Sequence, residues 1–235
     1  MIKTIENKLN VRLARIEIPG CSIAKGICSV DLHHQNSTRD QAIFECFGDM
    51  LLSGTKKLTR EELLDKVNSL GSSIDVHISD GVLTLEVSST QKNWSKTIAI
   101  VSDVLHNPTF SSKELKRATK LAFNNLNDDK EDSKAVAFQA FRNNFLDATD
   151  RRSTAKLETV QAELAKIPAK EVKQMYKRMF TQAWTASVTG DAKVCSSFEK
   201  LVSKLAKEIV VSDHNDKLPL VQKSNKLILN DVPSR

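Results

Sequence analysis

The stretch from Thr38 to Ser89 leaves the fewest folding choices. Ile43, Phe44, Phe47, Met50 and Leu51 recur at helical spacing, and Gly54 ends the period. A helix is predicted from the polar run that offers Ser37 or Thr38 as N-cap to about Ser53. The next segment, "LTREELLDKVNSLG", opens on Thr59 with Glu62 placed for a capping box and closes on Gly71. "SSIDVHISDGVLTLEVSS" then alternates with a period of two around Asp80-Gly81, the pattern of a tight hairpin. Helix, helix and hairpin in grouped order exclude strict βαβ alternation. They predict an α+β domain with a mixed, mainly antiparallel sheet and helices packed chiefly on one face.

The flanking segments extend this plan. "NVRLARIEI" reads as a strand with Val11, Leu13, Ile16 and Ile18 inward. Pro19-Gly20 is a turn, and Cys21–His33 is a second strand, so the two are predicted to form a hairpin. Beyond Gln91 the chain is mostly helical. One helix stops at Pro108; the next buries Leu115, Ala118, Ala122 and Leu126; a third is predicted to bury Val136, Phe138, Phe141 and Phe145. Two shorter helices, the strand "AWTASVTGD" and a last helix complete residues 1–212 as one domain. Residues 213–235 read as a polar linker and the start of a following domain, because "LIL" at Leu227–Leu229 has no sequential strand partner.

Charge and residue usage exclude several functions. The net charge is +6, much of it on the helical stripe Lys113, Lys116, Arg117 and Lys120, which reads as a solvated face. Aromatic residues are sparse and not interleaved with basic ones, so nucleic acid is not an expected partner. No run of about 18 apolar residues predicts a membrane-spanning helix. The cysteines Cys21, Cys28, Cys46 and Cys195 form no CxxC pair. On one strand Cys21 and Cys28 would lie roughly 23 Å apart, too far to bridge. His33 and His34 would point to opposite faces of a strand, His77 reads as a surface residue, and His106 as a helix C-terminal residue.

Three stretches, in order, resemble the M16 (insulinase, or pitrilysin-like) metallopeptidase family: "MLLSGTKKLTREELLDKVNSLGSSIDVHISDG", "VLHNPTFSSKELKRAT" and "AWTASVTGD". In active members of that family the first of these helices carries His-x-x-Glu-His. Two histidines one turn apart hold Zn²⁺, and the glutamate is general base toward the metal-bound water. A glutamate on the later long helix completes the ligand set. Anchored on Met50 and Gly54-Thr55, the resemblance places the first histidine at Glu45, the base at Gly48 and the second histidine at Asp49. It places the distal glutamate at Asn124 or Asn125, with Asn125 preferred.

The resemblance therefore implies a non-catalytic M16-type domain with no cofactor, no bound metal and no catalytic residue. Such a domain would help enclose the peptide chamber of a zinc metalloendopeptidase. Its expected partners are a catalytic M16 domain or subunit, or a second copy of itself, and a peptide. The alternative is a non-proteolytic scaffold subunit of a larger complex such as a respiratory core-type assembly. The family also pairs substrate with an edge strand, and the matching positions are Ile74, Asp75, Val76 and His77. Backbone pairing there needs no particular side chain.

Overall fold

A computed structural model describes residues 2–8, 10–32, 37–147, 150 and 152–211. In chain order the elements are β1 (Ile2–Lys8), β2 (Val11–Glu17), β3 (Ile23–Asp31), α1 (Thr38–Leu51), α2 (Arg60–Ser69), β4 (Ser73–Ser79) and β5 (Val82–Thr90). Then come α3 (Trp94–His106), α4 (Ser112–Glu131), α5 (Ser133–Phe145), α6 (Leu157–Leu164), α7 (Ala169–Arg178), β6 (Trp184–Gly190) and α8 (Ala192–Glu208). The strands form one six-stranded sheet in the order β1-β2-β6-β3-β5-β4. Among the described residues only the β2–β6 pairing is parallel; β1–β2, β3–β6, β3–β5 and β4–β5 are antiparallel. This is the mixed, mainly antiparallel α+β sheet that the sequence predicts.

Burial follows strand parity. Val11, Leu13, Ala24, Cys28, Val30, Leu83, Leu85, Val87, Trp184, Ala186 and Val188 face the helices and are buried. The intervening residues, among them Lys25, Ser29, Thr84, Glu86 and Thr185, occupy the other face. Helices cover one face only, so each strand needs apolar residues at every second position.

The local signals hold where they were strongest. Ser37 caps α1 by accepting from Asp40 N–H, and Thr59 and Glu62 form a reciprocal capping box on α2. Asp80 and Gly81 both have positive φ, 51° and 77°, which is the backbone of a two-residue hairpin turn. Leu115, Ala118, Ala122 and Leu126 are the buried residues of α4.

Three expectations are corrected. The β2 and β3 strands are not a hairpin: β6 lies between them, and β2 pairs instead with β1 and β6. The inward set of β2 is Val11 and Leu13 followed by Arg15, whose guanidinium donates to Glu199 of α8 at 2.8 Å. Ile16 and Ile18 therefore do not belong to the core side. Finally, α5 has no buried residue, and Phe138, Phe141 and Phe145 are 60%, 57% and 36% exposed. The helix is tied down by polar groups on another side: Gln139 donates to the Ala155 carbonyl at 2.9 Å, and Asn143 Oδ1 accepts from Thr154 N–H at 2.9 Å. The lone strand expected at 227–229 and His33-His34 lie outside the described residues.

Cys28, Cys46 and Cys195 are buried free thiols, and Cys21 is half-buried and also free. Burial pushes the thiols of Cys28 and Cys46 up to about 12, so neither is a nucleophile at neutral pH. His77 is exposed. His106 is the last residue of α3 but is not on the surface: Nδ1 lies 2.5 Å from the Ser102 carbonyl, and Nε2 lies 3.2 Å from Glu208 of α8.

Candidate functional site

The helix α1 runs beside the sheet edge, because β4 is the terminal strand among the described residues and α1 packs on β4, α4 and α6. Its apolar side, Ile43, Cys46, Phe47, Met50 and Leu51, is buried. Glu45 and Asp49 are one turn apart on the other side, toward α4.

Asp49 is already engaged. It is ion-paired with Arg117 of α4, whose Nε also donates to Glu114 at 2.8 Å. The resulting carboxylate–guanidinium–carboxylate group is half-buried, and it supports the positive charge of Arg117. Arg117 is thus not part of a solvated basic face. Lys113, Lys116 and Lys120 are exposed, but the arginine among them turns inward to α1. The sequence offered one signal for this: an aspartate at a position where the resemblance expects a metal ligand requires a counter-charge.

Among the described residues no cation pairs with Glu45. Its side chain still reaches solvent, but the chain around it removes water from the carboxyl, and the charge of Asp129 adds to that effect. Both raise its pKa above the usual carboxylate range. Between the unfolded and the raised folded pKa the native state holds the extra proton, so stability falls as pH rises through that window. Glu45→Gln is therefore expected to raise the melting temperature at pH 7. The gain should shrink as the pH falls below the ordinary glutamate range near 4.3. Melting curves of both proteins across pH check this; a loss at neutral pH would show that Glu45 has a compensating partner.

Gly48, where the resemblance places the base, is buried. A Cβ built there would lie 2.6 Å from the Val76 carbonyl oxygen and 3.3 Å from its carbon. The helix and the edge strand approach so closely that no side chain fits between them. Helix propensity alone misses this reason for the glycine. Register also matters here. The two-residue turn makes Ser79–Val82 a hydrogen-bonded pair, so His77 and Asp75 bond toward β5, while Val76 turns its N–H and C=O to the free edge. That outward carbonyl is the atom against Gly48, and α1 therefore flanks the edge at Val76. The side chains of Asp75 and His77 are exposed, and those of Ile74 and Val76 lean on the core.

On α4, Arg117, Leu121, Asn125 and Asp129 recur every fourth residue and share one ridge. Asp49 meets this ridge at Arg117, and Glu45 feels it at Asp129. Asn125 lies between them in sequence and is exposed. A cavity of about 210 Å³ opens beside Glu45, bounded by Gln41 and Phe44 of α1, Ile78–Gly81 and Arg142 of α5.

These residues do not fit a zinc site. Asp49 is neutralised by Arg117, Gly48 offers no base, and Asn125 is a neutral amide. Among the described residues no group of three or more His, Cys, Asp or Glu is arranged to hold a metal ion. No described helix is long and apolar enough to cross a membrane.

Residues 47–158 match the family model for insulinase (peptidase family M16), a little under half of the chain. Among solved structures, a peptidase M16 inactive domain from Pseudomonas fluorescens superposes with a TM-score of 0.76 at 12% identity, over 94% of this chain and 54% of that one. A protease from Helicobacter pylori superposes with a TM-score of 0.68 at 13% identity, over 94% of this chain and 52% of that one. The periplasmic protease PqqL from Escherichia coli gives a TM-score of 0.65 at 12% identity, over 95% of this chain and 26% of that one. This chain thus spans about half the length of the first two and a quarter of the third. No curated protein gives a match. The fold is M16-like, and the chain's central sequence matches the family.

Proposed function

We propose that this M16-like chain is a non-catalytic peptidase domain, which helps enclose a peptide chamber and packs against a catalytic M16 domain or subunit. The observation that carries the reading is the contact between Gly48 and the Val76 carbonyl. A general base at that position needs a side chain between α1 and β4, and here that space does not exist. The pairing of Asp49 with Arg117 supports the same conclusion, because it commits the second ligand position to a structural ion pair.

Holding a peptide is the second part of the role. The edge of β4 at Ile74, Asp75, Val76 and His77 is the surface for strand addition, with α1 as its flank at Val76.

The test is direct. Purified chain is expected to carry far less than one zinc per polypeptide by elemental analysis, and to leave unfolded peptides uncut. Stoichiometric zinc, or chelator-sensitive cleavage that is lost on Asp49→Ala, would overturn the non-catalytic reading.

A further inference from the structure

Glu45 is left with an unanswered charge. One turn along α1, Asp49 carries the same charge, and Arg117 of α4 pairs with it. Among the described residues the carboxyl of Glu45 has neither an ion pair nor a hydrogen bond, and the charge that acts on it, Asp129, is of like sign. Burial first, and then Asp129, hold its pKa above the usual carboxylate range, the mark of a carboxylate that lacks a counter-charge. Its side chain nevertheless reaches solvent, so a ligand can reach it.

Glu45 lines the cavity of about 210 Å³ between α1 and the β4–β5 turn. The other charged and amide groups around this cavity are already committed. Arg142 pairs with Asp80, and Gln41 accepts from Ala155 N–H at 2.8 Å. The lining therefore holds one balanced pair and one free carboxylate. The volume lies below the roughly 300 Å³ at which pockets for drug-sized ligands begin, and suits a single side chain. The edge of β4 shows where such a side chain would come from. His77 and Ser79 bond toward β5, so Ile78, like Val76, turns its N–H and C=O outward. A strand laid along this edge pairs with Ile78, and the residue opposite Ile78 points its side chain to the same face of the sheet. That is the core face, which α1 covers, and there Ile78 and Glu45 line one cavity.

We propose that this cavity takes a lysine or arginine side chain of a peptide added to β4 at Ile78, with the Glu45 carboxylate as its counter-charge. The ring of Phe44, in the same lining, covers the aliphatic stem. An apolar side chain there would strip water from Glu45 with nothing in return, and an acidic one would add a second repulsion to that of Asp129. The chain as a whole carries +6, so a preference for basic peptide at this edge is local and does not come from the overall field. The inference rests on strand addition at β4 and names the residue class that this edge selects.

Fluorescence anisotropy with short extended peptides, identical except for lysine, arginine or norleucine at the central position, reads the selection. Norleucine keeps the lysine stem and drops the charge. The lysine and arginine peptides should bind about fivefold more tightly than the norleucine peptide, as expected of a partly solvated ion pair. Glu45→Gln should bring all three to the affinity of the norleucine peptide. Misfolding does not confuse this result, because Glu45→Gln is expected to melt higher at pH 7. Glu45→Lys should reverse the order, so that a glutamate peptide binds more tightly than the lysine one. Equal wild-type affinities, or a glutamine or lysine variant that keeps the preference for basic peptide, would each overturn the proposal and leave strand addition in place. Failure of every peptide to bind would overturn strand addition and this pocket together. Zinc content and peptide cleavage decide the non-catalytic reading separately.

Discussion

Gly48→Ala is expected to destabilise the domain by about 1–2 kcal/mol, although alanine in place of a helix-interior glycine ordinarily stabilises by about 1 kcal/mol. The sign reverses because of what the new methyl group meets. Its Cβ would sit 2.6 Å from the Val76 oxygen, a distance real Cβ atoms do not adopt. The neighbour is main chain, held in register by the β4–β5 ladder from Ser73–Ser88 to Ser79–Val82, and cannot swing aside as a long side chain can. Either α1 lifts off Phe47 and Met50, which are fully buried, or β4 bends away from β5. Overpacking of this kind costs typically 1–3 kcal/mol, more than the helix gains. At the length of this chain each kcal/mol shifts melting by about 2–4 °C, so a thermal or urea melt resolves the effect. A more stable alanine variant would show that α1 and β4 part easily, and with that the physical case against a base at this position would fall. Gly48→Glu should cost more than alanine, for the same reason with a larger group. Even combined with Glu45→His and Asp49→His it should not create a protease, because the gap between helix and strand has closed.

What the sequence made legible were the features written locally. A capping box, a glycine stop and an Asp-Gly turn act over a few residues, and α1, α2, β4 and β5 follow from them. The buried set of α4 was equally clear, since Leu115, Ala118, Ala122 and Leu126 follow one helical face without interruption. The misread parts depend on partners far away in the chain. The turn at Pro19-Gly20 correctly reverses the chain, but reversal does not require that the two strands pair. Residues 184–190, more than 150 positions later, enter between them. On α5 the same apolar spacing that predicts a buried face describes a face turned outward, because periodicity names a stripe and not what covers it.

At the candidate site the sequence shows a departure from the family's pattern, but not what stands against those residues in space. Glu45, Gly48 and Asp49 stand where the resemblance expects a zinc motif. That Arg117 neutralises Asp49, and that Val76 needs the space Gly48 leaves, are tertiary facts. A residue type read in sequence says nothing of what packs against it. The partner must be found on another element, here α4 for the charge and β4 for the packing.

Trp184→Ala is expected to have the largest effect, about 3–5 kcal/mol of lost stability. Trp184 opens β6, is 1% exposed, and pairs at backbone level with Val11 of β2 on one side and Val30 of β3 on the other. Its backbone N–H donates to the Asn10 carbonyl at 2.9 Å, and its indole N–H donates to the Met179 carbonyl at 2.7 Å. The ring also lies 6.5 Å from Phe180. Removing it opens a cavity where, among the described strands, β1 and β2 are joined to the rest of the sheet. Trp184→Phe separates the two contributions. It keeps most of the apolar ring but leaves the Met179 carbonyl without its donor, a loss of about 1–3 kcal/mol. Urea titration followed by circular dichroism distinguishes global from partial unfolding. If β6 is the clasp between β2 and β3, the alanine variant should lose its midpoint while the surviving transition becomes shallower, because β1 and β2 detach before the remainder melts. An alanine variant with the wild-type midpoint would mean that α8, packed across β2 and β6, holds the two halves of the sheet without Trp184.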